Sequence, residues 1–252
     1  MKTLVTIVKQ QALTEAQKEE MWHVYKHYYH YSKIYFMERI NQNTHFSLYL
    51  NNGKIGGFTG LRINTFKVGN RAQFLIYFGQ TVISYQLRGQ SLIPTTCFKL
   101  IVKYWKELLN SLAWFWYDAL SYKAYLVSAK TAAEYYPTYK CPIPNQVKIL
   151  MDKVGQYYYA ENYQPDSGIV KKAINYLKDA TVKIYESDLK DADIAFYARA
   201  NPGHEQGHGL LTFSPINWEN ILMIAKRNLH RHIYFSKNKW NIFTAKRTSN
   251  FS

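Results

Sequence analysis

The sequence has little acid, little cysteine and no long apolar run. Only 17 Asp and Glu stand against 32 Lys and Arg, so the formal net charge is +15. That balance points to an acidic partner or to solubility and says nothing of fold. Nucleic acid, anionic lipid, a phosphorylated cofactor or an acidic carrier protein would each suit it. The two cysteines, Cys97 and Cys141, do not form a disulfide framework, and a reducing, cytoplasmic setting is the simple reading. No stretch approaches the ~18 apolar residues of a membrane span. The apolar run within Met1–Lys9 is too short for a signal peptide. Glycine numbers only 12 and heptads are missing, which excludes collagen-like and coiled-coil chains.

What is abundant is aromatic surface. Hydrophobic residues make up 47% of the 252 positions and aromatics 17%, with 23 Tyr and 6 Trp. Disorder needs the opposite composition. A chain of this length buries a full core as one large domain or two small ones.

Periodicity predicts mixed elements. Thr14-Glu15-Ala16-Gln17 reads as a capping box, opening a helix to about Met37 with Met21, Tyr25, Tyr28, Tyr29 and Phe36 on one face. Phe46–Leu50 and Ile55–Ile63 read as strands around an Asn51–Lys54 turn. After a second turn at Phe66–Asn70, Gln73–Ser84 is a long strand. Leu92–Leu109 has helical periodicity, with Pro94 in its first turn, where the missing N–H costs no bond. Trp114–Tyr117 reads as a strand and Tyr122–Tyr136 as a helix ended by Pro137. Further helices are expected near Gln146–Tyr158, Ile169–Lys178 and Trp218–His230. Strands are expected near Thr181–Glu186, Ile194–Arg199 and Leu210–Phe213, the last two separated by an Asn201–Gly209 loop. No repeat or low-complexity linker divides the chain, which suggests one α/β domain with an elaborated C-terminal third.

The chemically informative stretch is strand, polar Gly loop, helix. The strand ends near Ser84, the loop is Tyr85-Gln86-Leu87-Arg88-Gly89-Gln90-Ser91, and the helix starts at Leu92. First-turn N–H groups of a helix lack intrahelical acceptors, and the macrodipole is positive there. Gly89 allows close backbone approach and Arg88 adds a positive fork, which is what a pyrophosphate needs. Many such turns bind nothing, so the physics alone does not select a ligand.

The element order around this loop resembles the GNAT superfamily of acyl-CoA N-acyltransferases, over about residues 14–139. The family signature, Gln/Arg-x-x-Gly-x-Gly/Ala, fits in two registers. Gln86-Leu87-Arg88-Gly89-Gln90-Ser91 places Ser at the last Gly/Ala. Arg88-Gly89-Gln90-Ser91-Leu92-Ile93 departs from it at Ser91 and Ile93. The resemblance implies an α/β (α+β) fold: a mixed, mostly antiparallel central sheet flanked by helices. Residues 1–252 would form a single GNAT-like domain, with a C-terminal extension, about 140–252, completing the sheet and the acceptor site.

The resemblance also implies a mechanism. The donor is an acyl thioester of CoA or of acyl carrier protein phosphopantetheine, with no metal. Its pyrophosphate would sit on residues 87–92. Its pantetheine would lie where the fourth and fifth strands splay, with the thioester carbonyl on a backbone N–H around Ile83. An amine attacks directly, and a Tyr protonates the leaving thiolate. Ala132-Ala133-Glu134-Tyr135-Tyr136-Pro137 resembles the family segment that carries this Tyr, which makes Tyr136 the first candidate acid and Tyr135 the second. Glu134, Glu38, His45 and Asp118 are candidate bases, and nothing selects one of them.

The expected activity is therefore N-acylation, with a medium or long fatty acyl group permitted by the apolar content. The acceptor would be a Lys- or ornithine-like peptide side chain or a metabolite. Alternatives are acetylation of a small amine, an aminoacyl-tRNA-dependent transferase, a GNAT fold without catalysis, and a basic module that binds nucleic acid. The last is disfavoured, because the basic residues are spread along the chain and no nucleic-acid motif appears.

Other features have plainer readings. His23, His27 and His30 have helical metal-ligand spacing without a completing ligand, and a solvated His face is favoured. The Gly-rich setting of His204 and His208 is a loop, over an acceptor site or simply a long turn. The basic tail Lys226–Ser252 solvates, or docks an acidic carrier protein, lipid or RNA. Tyr157, Tyr158, Tyr159 and Tyr163 pack in the core or line a groove for an acyl chain or peptide.

Overall fold

Alternating apolar residues build a sheet with two covered faces. The computed structural model describes residues 3–172 and 183–226. Eight strands form one sheet: β1 (Leu4–Lys9), β2 (His45–Asn51), β3 (Lys54–Val68), β4 (Arg71–Ile83), β5 (Leu112–Ala119), β6 (Tyr163–Gln164), β7 (Ile169–Val170) and β8 (Gly209–Pro215). Their spatial order is β1-β2-β3-β4-β5-β8-β7-β6. Every neighbouring pair is antiparallel except β4 and β5, which run parallel. The mixed, mostly antiparallel sheet flanked by helices is the expected fold class.

Alternation assigns the helices to faces. Phe46, Leu48 and Phe58 pack on α1 (Glu15–Tyr25) and α2 (Lys33–Asn41). Leu75, Tyr77, Trp114, Trp116 and Phe213 pack on α6 (Asn145–Tyr159), on the same face of the sheet. The opposite face carries α3 (Leu92–Lys103) and α4 (Trp105–Asn110), over Leu61, Phe74 and Ile76. It also carries α5 (Tyr122–Thr131) and α7 (Ala192–Ala200), over Ala119 and Leu210. A last helix, α8, is described over 218–226.

The Thr14 capping box is present: Gln17 N–H donates to Thr14 Oγ1 at 3.2 Å, and Thr14 N–H to Gln17 Oε1 at 3.0 Å. Several expected elements differ. The first helix breaks after Tyr25, whose ring stacks on Tyr29 with centroids 4.5 Å apart, and Ser32 caps a separate α2 through the Tyr35 N–H. The long helix after Leu92 breaks at Tyr104, whose backbone leaves the helical region. The β3–β4 strands run on to a tight turn at Gly69-Asn70.

The helix after β5 ends at Thr131 and does not reach Tyr136, because Asn220 Oδ1 accepts from the Ala133 and Glu134 N–H groups at 2.7 and 2.8 Å. Ile169–Val170 is a strand between β6 and β8, where the sequence predicts a helix; Lys171 and Lys172 are not helical, and 173–178 lie outside the described residues. Of Thr181–Glu186, the described residues 183–186 form no strand. Ile194–Arg199 is helical because Asp191 caps it, accepting from the Asp193 N–H at 2.9 Å, and Ile194 and Tyr197 are buried.

Candidate functional site

Residue order at the β4–β5 seam opens the sheet. The two strands pair from Gln73/Leu112 to Tyr77/Trp116, yet β4 continues to Ile83 and β5 to Ala119. Beyond Tyr77 the strands have no mutual register. The split coincides with a bulge in β4. Gly60 opposes Gly79 and Phe58 opposes Val82, so Gln80 and Thr81 share Thr59 as their partner. Gln80 adopts a φ of 47°, uncommon for a residue with a Cβ. Its side chain is buried and accepts from Asn43 Nδ2 at 2.6 Å, which holds the bulge in place.

A cavity of about 370 Å³ occupies the split. From the α3/α5 face it is lined by Ile93, Cys97, Ala124, Val127 and Ser128. From the α1/α2 face it is lined by Tyr25, Tyr29, Tyr31, Arg39 and Lys172. Gly79, Gln80 and Thr81 of the bulge border it, as do Tyr117 and Asp118 of β5. The cavity therefore connects both faces of the sheet. Ile83 is not among its lining residues; the irregular backbone that meets the cavity is the bulge, three residues earlier.

The loop at the start of α3 has a defined shape. Gly89 has φ 81° and Ser91 φ 54°. Open space surrounds the position of a Gly89 Cβ, so glycine answers a conformational need and not a steric one. Leu87 is a buried anchor against Val5, Tyr49 and Leu92. Arg88, Gly89 and Gln90 are exposed. Arg88 Nε donates to Ile83 O at 3.3 Å, and its guanidinium lies 5.5 Å from the Tyr28 ring centroid. Gln90 accepts from Thr3 and donates to the Gln86 carbonyl. Pro94 removes one first-turn donor, leaving the Leu92 and Ile93 N–H groups at the helix end. Gln86–Leu92 lie outside the cavity lining, and Ile93, the next residue, belongs to it.

The two tyrosines after α5 lie elsewhere. Tyr136 pairs in an isolated bridge with Phe213, and its hydroxyl donates to Glu134 Oε1 at 2.9 Å. Burial, with Glu134 adding to it, pushes its phenol up to about 12. Tyr135 donates to Asp193 Oδ1 at 2.9 Å and is buried among α5 and α7 residues. Neither lines the cavity. The phenol on the α5 side of the cavity is Tyr117, whose hydroxyl donates to Ser128 Oγ at 2.8 Å and accepts from the Ser128 N–H. Sequence reasoning passed it over because it sits in the short apolar strand, where an aromatic reads as core.

Among the candidate bases, only Asp118 borders the cavity. It accepts from Tyr77 Oη at 2.8 Å and Lys172 Nζ at 2.9 Å. Burial alone would raise its carboxyl, but Lys172, Tyr77 and Arg39 outweigh that and hold it down at about 2. Glu134 is engaged with Tyr136 and Asn217. His45 lies between Thr44 and Tyr104, with burial lowering its ring to about 4. Glu38 is exposed on α2. Cys97 borders the cavity, but burial lifts its thiol to about 12, so it offers no thiolate nucleophile near neutral pH.

No group of three or more potential metal ligands occurs among the described residues. The first helix ends at Tyr25, so His23, His27 and His30 do not share a helical face. In the 201–209 loop, His208 Nδ1 accepts from the Lys172 N–H at 3.2 Å, and Gly207 borders the cavity. The tail beyond Lys226 lies outside the described residues. Among the described residues no helix is long and apolar enough to cross a membrane.

No family model and no curated protein matches the chain. Solved structures overlap part of it. A probable N-acyltransferase from Enterococcus faecalis is similar at 11% identity with a TM-score of 0.38, over 50% of this chain and 32% of that one. This chain thus spans about a third of that protein's length. Glucosamine-6-phosphate N-acetyltransferase from Arabidopsis thaliana is similar at 12% identity and a TM-score of 0.39, over 56% and 99%. The ribosomal-protein-S18-alanine N-acetyltransferase of Escherichia coli is similar at 15% identity and 0.35, over 54% and 86%. The chain's own geometry, rather than these partial overlaps, carries the functional reading.

Proposed function

We propose that the protein is a GNAT-type N-acyltransferase of one domain, moving an acyl group from a CoA or acyl-carrier thioester to an amine. The observation that carries this reading is the through-sheet cavity at the β4–β5 split, bordered by a bulge and adjoining the turn before α3. A thioester arm entering between α3 and α5 meets apolar walls, while its phosphates stay at the α3 N-terminus with Arg88 and the N–H groups of residues 87–92. Backbone N–H groups of the bulge, at Gln80 and Thr81, stabilise the oxyanion formed on attack. The amine approaches from the α1/α2 face, where Asp118 accepts a hydrogen bond from its N–H.

Attack by the neutral amine forms the C–N bond and the tetrahedral intermediate. The nitrogen gives its proton to water in the cavity mouth, because Asp118 is too weak a base to take it, and collapse breaks the C–S bond and releases the thiolate. Tyr117, which borders the cavity, gives the thiolate a proton in this reading. Tyr136 and Tyr135 remain candidates to be compared with it by substitution. Ile221 and Ile224 of α8 add apolar surface to the cavity, which favours an acyl group longer than acetyl. A peptide side chain or a metabolite supplies the amine, and the reaction is assigned to the cytoplasm.

Titration with acetyl-CoA and longer acyl-CoAs, followed by free-thiol release on adding amines, tests the reading. Saturable binding and amine-dependent thiol release support it. If no acyl-CoA binds at millimolar concentration and acyl carrier protein also fails, the reading falls.

A further inference from the structure

A second cavity, of about 310 Å³, opens beside Asp118 on the α1/α2/α6 face. It shares Tyr31, Arg39, Tyr77, Asp118 and Lys172 with the first, so the two spaces adjoin. Its lining holds four cations, Arg39, Arg62, Lys171 and Lys172, and one carboxylate. That carboxylate, Asp118, is already bonded to Lys172 and Tyr77.

Arg62 is the decisive residue. It is 7% exposed, its Nε has no hydrogen-bond partner, and no carboxylate among the described residues lies within ion-pair distance. Its Nη2 donates to Gln42 Oε1 at a long 3.3 Å. Tyr77 and Tyr158 flank the guanidinium at 4.6 and 5.0 Å from their ring centroids, fixing its plane. Arg39 repeats the pattern: Nη1 bonds to Tyr31, the ring of Tyr31 lies 5.3 Å away, and Nε has no partner. A buried guanidinium with spare donors and no counter-ion is costly unless an anion completes it. The forked donors of arginine suit a carboxylate or a phosphate. This cluster is not the donor's phosphate site, because Arg62 lies on the face of the sheet opposite α3.

We infer that the second cavity holds an anionic group of the amine acceptor, so that the substrate is a small primary amine carrying a carboxylate or phosphate. The inference rests on the transferase reading for the word acceptor; the anion site itself does not. The amine end would lie at Asp118, with the anion at Arg62 and Arg39 of the same lining. Tyr158 and Tyr159 thereby become walls of an acceptor pocket.

The test uses primary alkylamines of equal length ending in methyl, carboxylate or phosphate, with an acyl-CoA that binds. The anionic amines should have kcat/KM at least about tenfold above the methyl-ended amine. Arg62→Met should reduce that ratio about tenfold, and Lys171→Glu, at an exposed rim position, should reduce it without risk to the core. The carboxylate and phosphate arms decide which anion is preferred. In parallel, inorganic phosphate is titrated calorimetrically into wild type and both variants without donor. Binding that weakens in both variants supports the anion site even if no acyl transfer occurs, in which case only the transferase reading falls. Transfer to all three amines at equal efficiency overturns the inference and leaves the transferase reading standing. Absence of phosphate binding, together with no anion preference in turnover, overturns it as well.

Discussion

Asp118→Asn is the sharpest test of the site's electrostatics. The carboxylate is 8% exposed and its partner Lys172 17%, so neither is strongly screened by solvent. The substitution keeps the shape and a hydrogen-bond acceptor for Tyr77 but leaves the Lys172 ammonium without its counter-charge. Removing one member of a buried ion pair costs about 3 kcal/mol or more. The depressed carboxyl of Asp118 leads to a figure of the same order. Its carboxyl is depressed from 3.8 to about 2 in the folded chain, which corresponds to roughly 2 kcal/mol of stability.

Because the folded value is the lower one, this contribution is fully present above the unfolded value. It is lost as pH falls from about 4 through about 2. Urea denaturation followed by fluorescence of Trp114 and Trp116, repeated between pH 7 and pH 3, measures both effects. Wild type should lose stability on the acid side more steeply than the variant, and the variant should be about 2–3 kcal/mol less stable at pH 7. Equal stability at pH 7 and an unchanged acid slope would refute the assignment of a buried, ionised Asp118.

Other outcomes follow from single residues. Thr14→Ala removes the side-chain half of the capping box and should lower stability by about 1 kcal/mol in the same denaturation assay. Gly89→Ala forces a Cβ into a φ of 81° and should weaken acyl-CoA binding by about threefold to tenfold in a calorimetric titration, through the changed loop. Tyr117→Phe should lower kcat by about tenfold or more in the thiol-release assay while the donor Kd stays within about twofold. The same measurement on Tyr136→Phe decides between the two phenols: an unchanged rate excludes Tyr136 as the essential acid.

Local rules were legible wherever one short-range interaction decides the outcome. The Thr14 cap, the Asn52-Gly53 turn and the Gln73–Ser84 strand followed from residue types within a few positions. The elements that periodicity misplaced were decided by partners far along the chain. Asn220 stops the helix at Thr131 from 86 residues away or more, measured to Glu134 and Ala133. Asp191 caps a segment whose alternating Ile194 and Phe196 imitate a strand.

The Gly89 turn was visible because it is local. The bulge at Gln80 was not, since only the register with β3 and the clasp of Asn43 create it. The cation cluster was hidden for the same reason: Arg39, Arg62 and the Lys171-Lys172 pair come from three separated places in the sequence and look like ordinary surface charge. The excess of positive charge and the excess of tyrosine meet in that cavity, where aromatic rings hold guanidinium groups in place.

The central claim is that an acyl thioester threads the split between β4 and β5. Calorimetric titration of acyl-CoA into wild type and into Ala124→Trp, which fills the α5 side of the cavity, tests it most directly. The account predicts saturable binding to wild type and a loss of at least about tenfold in the variant, with circular dichroism showing the variant folded. Equal binding by the two proteins, or none by either at millimolar acyl-CoA, would contradict it.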